Sequence, residues 1–240
     1  TAIPAALDQF PEGFLEALGE AAGAGNAVLL GAVVREGGRH FNSAIGVQGA
    51  RLQRYDKSHL VPFGEFTPRY FAWTLRVLHI PMSDFSPGAA AQPPMSLAGE
   101  RIAANICYED IFGEQIVRAV PEATLLVNLS NTAWFGDSLA QPQHLQIARV
   151  RALETGRFML RATNTGMTAV VDPSGMVAAA IPDFTRGALR ATVRGFAGST
   201  PYARWGDAAF LSLAGIALAA AAIGARARAR TAGPGIAEYK

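Results

Sequence analysis

The stretch Ala208–Ile223, AAFLSLAGIALAAAAI, constrains this chain of 240 residues most, because sixteen residues pass without a charge. Extended to Ala225, it nears the roughly 18–20 apolar residues that cross a bilayer core as a helix. Trp205 stands at one edge, where interfacial aromatics belong, and Arg226, Arg228 and Arg230 stand at the other. A buried, Ala-rich core helix is the competing reading, but three arginines and a Gly/Pro tail follow it at once. Read as a span, residues 205–225 form a transmembrane helix. The positive-inside rule then places the basic tail, 226–240, in the cytoplasm and residues 1–204 on the outer face.

Composition narrows the rest. Half of the residues are apolar and 17% are charged, enough to build one full core. A single cysteine excludes an internal disulfide and any Cys-cluster metal site. His40, His59, His79 and His144 show no ligand spacing, so no metal is expected. Basic residues number 21 against 19 acidic; without the three tail arginines the body holds 18 against 19. A nearly neutral body offers no nucleic-acid face. Gly23-Ala24-Gly25 precedes a strand and lacks a third glycine, and no Gly-x-Ser-x-Gly elbow occurs. No cofactor is expected. The chain opens at Thr1 without Met or a signal-peptide pattern, which reads as a piece of something longer or a trimmed product.

Strand and helix patterns alternate through the body. Apolar spacing over Asp8–Ala24 (Phe10, Phe14, Leu15, Leu18) predicts a helix ending in glycines. AVLLGAVV (27–34) and HFNSAIGV (40–47) predict a hairpin through Gly37-Gly38. RIAANI (101–106) predicts a strand running into Cys107, followed by a short helix over Ile111–Val120 that Pro121 stops. TLLVNL (124–129) reads as a strand covered on both faces. Gln141–Thr155 reads as a helix closed by Gly156. Strands follow at 158–163, 168–172 and 176–181, the last two joined by a type I turn through Asp172-Pro173-Ser174-Gly175. Interleaving of this kind gives an α/β layered fold.

The chemistry centres on ANICYEDIFGE (103–113), which holds the one cysteine. A strand end feeding a helix start would hold Cys107 at the top of a sheet, where the first helical amides favour thiolate. Glu109 and Asp110 suit a helix N-terminus but repel a thiolate, so a nucleophile here needs a positive partner. RYDKSHLVPFGE (54–65) offers Lys57 in a Pro- and Gly-marked loop, with Glu65 eight residues on. A lysine at a thioester carbon would stabilise the oxyanion of a tetrahedral intermediate. Taken alone, Lys57 also reads as a solvated surface charge, and Cys107 also reads as a small buried hydrophobe.

YDKSHLVPFGEFTP, NICYEDIFGE and NLSNTAWFGDSLAQPQHLQIARVRALETGRFMLRATNTGMTAVVDPSG together resemble the nitrilase-type domain of the apolipoprotein N-acyltransferase family. TPYARWGD before an apolar run is similar to that family's last transmembrane helix. The resemblance runs from Thr1 to about Ile223. It implies a nitrilase-like α-β-β-α sandwich followed by one C-terminal transmembrane helix, in a bacterial inner membrane with the catalytic domain on the periplasmic side. It implies transfer of an acyl chain from a phospholipid donor, typically phosphatidylethanolamine, to the N-terminal amine of diacylglyceryl-cysteine in an apolipoprotein acceptor. By the family pattern Cys107 is the nucleophile that becomes a thioester and Lys57 supports the oxyanion, while Glu65 and Glu109 are acids supporting the active site. A covalent acyl-enzyme gives ping-pong kinetics.

The family's general base is a glutamate in a Pro-Glu pair directly before a stretch like Thr1-Ala2-Ile3-Pro4. This sequence opens just after that place, so the chain by itself is expected to be nearly inactive unless Glu65 substitutes. A membrane-tethered amidase and a non-catalytic lipid-associated domain are the alternative readings. FTPRYFAWTLRVLHI (66–80) reads either as a core helix or as an arm dipping into the outer leaflet, with Phe71 and Trp73 guiding lipid. Trp134, in NTAWFGD, reads either as a lining of the acyl site or as a packed loop residue.

Overall fold

The computed structural model describes residues 6–67 and 85–231. Leu7–Gln9 form one 3-10 turn and α1 spans Phe14–Ala22. The single helix expected over Asp8–Ala24 is therefore broken. Pro11 has no N–H to extend a helical ladder, and Gly13, at φ +78°, occupies the left-handed region just before α1. β1 (Val28–Glu36) and β2 (Arg39–Gln48) form the expected hairpin, with Glu36 opposite Arg39. Gly37 and Gly38 both take positive φ, which a two-residue hairpin loop of this hand requires. β3 (Arg51–Asp56) pairs with β2 and completes a three-stranded sheet, so the motif beginning at Arg54 starts inside a strand.

The second sheet runs in the order β4 (Met95–Leu97), β5 (Glu100–Ile106), β6 (Leu125–Ser130), β7 (Met159–Thr163), β8 (Thr168–Val171) and β9 (Val177–Ile181). β5, β6 and β7 are parallel, and the outer pairings are antiparallel. Parallel neighbours need crossovers. The first contains a 3-10 turn over Cys107–Ile111 and α2 (Gly113–Ala119); the second contains α3 (Ala140–Thr155), closed by left-handed Gly156. The turn after β8 has the Gly175 N–H donating to the Asp172 carbonyl at 2.9 Å, as the Asp-Pro-Ser-Gly order predicts.

Three apolar layers follow from strand alternation. Leu30, Ala32, Ile45 and Val47 face α1, with Leu15 and Leu18 packed on them. Ala44, Tyr55, Met95, Leu97 and Ile106 fill the space between the sheets. The sheets approach so closely that a Cβ on Gly46 would lie 2.7 Å from Leu97. On the far side Ala103, Leu126 and Met159 meet Ile116 of α2 and Leu145, Ala148 and Ala152 of α3. Burying Leu126 or Met159 fully contributes about 1.5–3 kcal/mol each. The result is the α-β-β-α sandwich.

Past the sandwich, α4 (Pro201–Trp205) starts at Thr200, whose hydroxyl accepts the Ala203 N–H at 3.0 Å. Gly206, at φ +53°, separates it from α5 (Ala208–Thr231). Trp205 thus closes a short helix instead of opening the long one. Among the described residues α5 is largely exposed: Phe210 is 73% and Leu218 72% exposed, whereas a core helix of this sandwich would be covered. Residues Ala208–Arg228, whose most apolar 18-residue window has mean hydropathy 2.1, are long and apolar enough to cross a membrane.

Candidate active site

β5, β6 and β7 all end on the same edge of the sheet, where open α/β sheets place their sites. Cys107 follows the last residue of β5 and takes φ +54°, a left-handed backbone unusual for a side chain with Cβ. Its Sγ lies 4.0 Å from the carbonyl oxygen of Asn131, just beyond β6.

Lys57 follows the last residue of β3 and is 1% exposed, so the solvated-charge reading fails. Its backbone is fixed on both sides: its N–H donates to the Asn42 carbonyl at 2.8 Å, and its carbonyl accepts from Gly88 at 2.9 Å. Its Nζ lies 2.6 Å from Glu65 Oε2 and 5.6 Å from the Tyr108 ring centroid. Glu65 Oε2 also accepts the Val61 N–H at 2.8 Å, and Oε1 accepts from Asn42 Nδ2 at 2.8 Å. The loop around Phe63, itself at φ +62°, folds back so that Val61 can reach Glu65. A buried ammonium requires such a partner.

Glu109 is fully buried and accepts an unusual number of donors. Oε1 takes the N–H groups of Ser58 (2.8 Å) and His59 (3.1 Å) and the Ser58 hydroxyl (3.1 Å); Oε2 takes the Ile106 N–H (2.8 Å). The Tyr55 hydroxyl, 3.1 Å from both oxygens, and Gln115 Nε2, 3.4 Å from Oε1, complete the set. Burial and the neighbouring Glu109 charge push the Tyr55 phenol far up, which keeps it a donor.

Burial pushes the Cys107 thiol up; the Lys57 charge pulls it down, Glu65 and Asp110 push it up, and a hydrogen bond from the Tyr108 backbone pulls it down. One expectation is corrected here: the Tyr108 amide lowers the thiol, as a helix start should, but desolvation outweighs it and the thiol is raised overall. Asp110 opposes the thiolate as expected, and Glu65 adds to that opposition.

Of the two readings of Trp134 the packed one fails: it is 70% exposed, three residues beyond Asn131, and Phe135 and Leu139, close by in sequence, are exposed as well. Phe71 and Trp73 lie outside the described residues. Sequence reasoning missed Tyr55, Tyr108 and Asn42. A polar Asn42 inside an apolar strand was a legible signal. A tyrosine's role beside a cysteine was not.

Two layered sheets flanked by helices, with a cysteine at a parallel strand end facing a buried Lys–Glu pair, define a class. Residues 3–202 match the model of the carbon-nitrogen hydrolase family, and the chain belongs to that family. A carbon-nitrogen hydrolase from Helicobacter pylori G27 shares the fold at TM-score 0.54 and 18% identity, covering 71% of this chain and 62% of that one. In sequence the chain is similar to apolipoprotein N-acyltransferases. That of Nitrosomonas europaea is 46% identical over 228 residues, covering 93% of this chain and 46% of the relative. That of Ralstonia nicotianae is 48% identical over 237 residues, covering 95% and 45%. The chain thus spans somewhat under half the length of these curated relatives.

Proposed function

We propose that this chain carries the acyl-transfer chemistry of an apolipoprotein N-acyltransferase, with Cys107 as the nucleophile. The observation that supports this most is the buried Lys57–Glu65 pair, held within electrostatic reach of Cys107. The Cys107 thiolate attacks an ester carbonyl of phosphatidylethanolamine, and the developing oxyanion meets the Lys57 ammonium. Collapse breaks the ester C–O bond and releases lysophospholipid, whose alkoxide takes a proton, leaving a thioester. The neutral α-amine of a diacylglyceryl-cysteine then attacks that thioester. The C–S bond breaks, the amide forms and the thiolate returns. A base must take the thiol proton and later the amine proton. Both oxygens of Glu65 and of Glu109 are already engaged, which favours a base other than these two.

The same reading makes α5 a span of a bacterial inner membrane, with Arg226, Arg228 and Arg230 cytoplasmic and the sandwich periplasmic. Exposed Trp134, Phe135 and Leu139 then offer apolar surface to acyl chains on that side.

The test incubates the full-length protein with phosphatidylethanolamine vesicles and seeks a hydroxylamine-labile acyl adduct by peptide mass spectrometry. An adduct on Cys107 that an apolipoprotein peptide discharges as an amide supports the reading; Cys107→Ala abolishes it. Ammonia release from amides without lipid acylation would move the assignment to a tethered amidase. Vesicle binding with neither reaction would make the domain non-catalytic.

A further inference from the structure

One row of polar side chains crosses the parallel strands just behind the nucleophile. Asn105 of β5 is in register with Asn128 of β6, and Asn128 with Arg161 of β7. All three are buried, Arg161 to 2% exposure, and they share strand parity with Ala103, Leu126 and Met159, which pack toward α2 and α3. Three such residues in an apolar layer cost desolvation, which their hydrogen bonds offset only in part, since Asn105 Nδ2 and Arg161 Nε have no partner among the described residues. Asn128 Nδ2 donates to the backbone carbonyl of Cys107 at 2.9 Å and to Asn105 Oδ1 at 2.6 Å. Asn128 Oδ1 accepts from Arg161 at 3.3 Å and from Ser130 at 2.5 Å.

Arg161 sets the sense of this network because a guanidinium only donates. Facing Arg161, Asn128 must present its oxygen, which turns its amide N–H toward Cys107. Arg161 also lies 2.6 Å from His144 Nδ1, so that nitrogen accepts and Nε2–H donates to Asp110 Oδ1 at 2.9 Å. The other Asp110 oxygen accepts from Arg161 at 3.3 Å. Asp110 belongs to the same Cys107–Ile111 turn as the nucleophile. One side chain therefore grips that turn twice, at Asp110 directly and at the Cys107 carbonyl through Asn128. The grip acts on a residue whose left-handed φ the local chain does not favour. A buried ionic cluster is weak evidence for stability, since apolar replacements often fold as well. Its use here is orientation.

We propose that Arg161 is a positioning residue for the nucleophile, holding Cys107 in its left-handed conformation through Asn128 and Asp110. This rests on the reading of Cys107 as the acyl-carrying group.

The experiment compares Arg161→Met and Asn128→Asp with the unaltered full protein; the second removes the N–H aimed at Cys107 and keeps an acceptor for Arg161. Acyl transfer from phosphatidylethanolamine through the thioester to an apolipoprotein peptide gives kcat and KM. Alkylation of Cys107, the chain's one thiol, by iodoacetamide gives a pH profile. The groups acting on that thiol include Lys57, Glu65, Asp110 and the Tyr108 amide, and Arg161 itself interacts with the Cys107 charge. Expected for both variants is a tenfold or greater fall in kcat, with donor KM within twofold. The alkylation midpoint also moves to higher pH, because Asp110 loses its counter-charge in one variant and a carboxylate is added in the other. Wild-type kcat in either variant that folds, or a loss confined to KM, overturns the proposal. If the unaltered protein alkylates at Cys107 but never forms a thioester, the acyl-transfer reading fails. The alkylation profiles still decide the positioning role, and unchanged midpoints in both variants overturn it.

Discussion

Glu109 joins two segments that are far apart in sequence: its carboxylate accepts the Ser58 N–H at 2.8 Å, across 51 residues. The loop carrying Lys57 is thereby tied to the turn carrying Cys107. Glu109 also takes the Ile106 N–H, so the same side chain braces the residue just before the nucleophile.

Glu109→Gln therefore turns an NH2 group toward donors that now face an acceptor. Each lost or inverted buried bond costs on the order of 1–3 kcal/mol. A destabilisation of about 2 kcal/mol is expected, read as a fall in Tm of roughly 4–8 °C. An unchanged melting curve would show that the bridge does not carry the loop.

Lys57→Met leaves Glu65 buried beside Asn42 and Val61 without its counter-ion. Removing one partner of a buried pair costs roughly 3–5 kcal/mol. The double change Lys57→Met with Glu65→Gln recovers most of that in urea unfolding, because no orphan charge remains. Thioester formation stays lost in both. Equal unfolding free energies for the single and double variants would rule out the pairing.

The Cys107 thiol is held above its ordinary value by burial, so its alkylation rate is expected to rise with a midpoint above the roughly 8.5 of a free thiol. Lys57→Met removes the charge that pulls it down and moves the midpoint higher. The linkage has a definite sign. A raised folded value means the folded state keeps its proton longer, so the contribution is present below the unfolded value and is lost as pH rises through the folded one. Cys107→Ala should flatten that alkaline loss in pH-dependent unfolding curves.

Trp134 is exposed and makes little of the core. Trp134→Ala is expected to change stability by less than about 0.5 kcal/mol. It should raise the KM for the phospholipid donor severalfold while kcat holds, measured with vesicles of fixed composition. A large drop in Tm would instead assign Trp134 a structural role.

Much of this architecture was legible before folding. The Gly37-Gly38 hairpin, the strand into Cys107, the Asp172–Gly175 turn and the helix ending at Gly156 follow from local rules, because backbone geometry and periodicity act over a few residues. The long helix over Asp8–Ala24 did not form, since apolar spacing survives across Pro11 although the hydrogen-bond ladder does not. β4 escaped notice because three residues carry too short a pattern to read.

The sequence by itself determined the layered class, the apolar terminal helix, and the residue types from which a nucleophile and its cation could come. Tertiary structure decided that Lys57 is buried and paired, that Glu109 is a bridge, and that Asp110, His144 and Arg161 meet. Those three come from a turn, a helix and a strand, 17 to 51 residues apart. Local preference has no term for such distances. Only the packing of sheet against helix, with the need of buried donors for acceptors, brings them together.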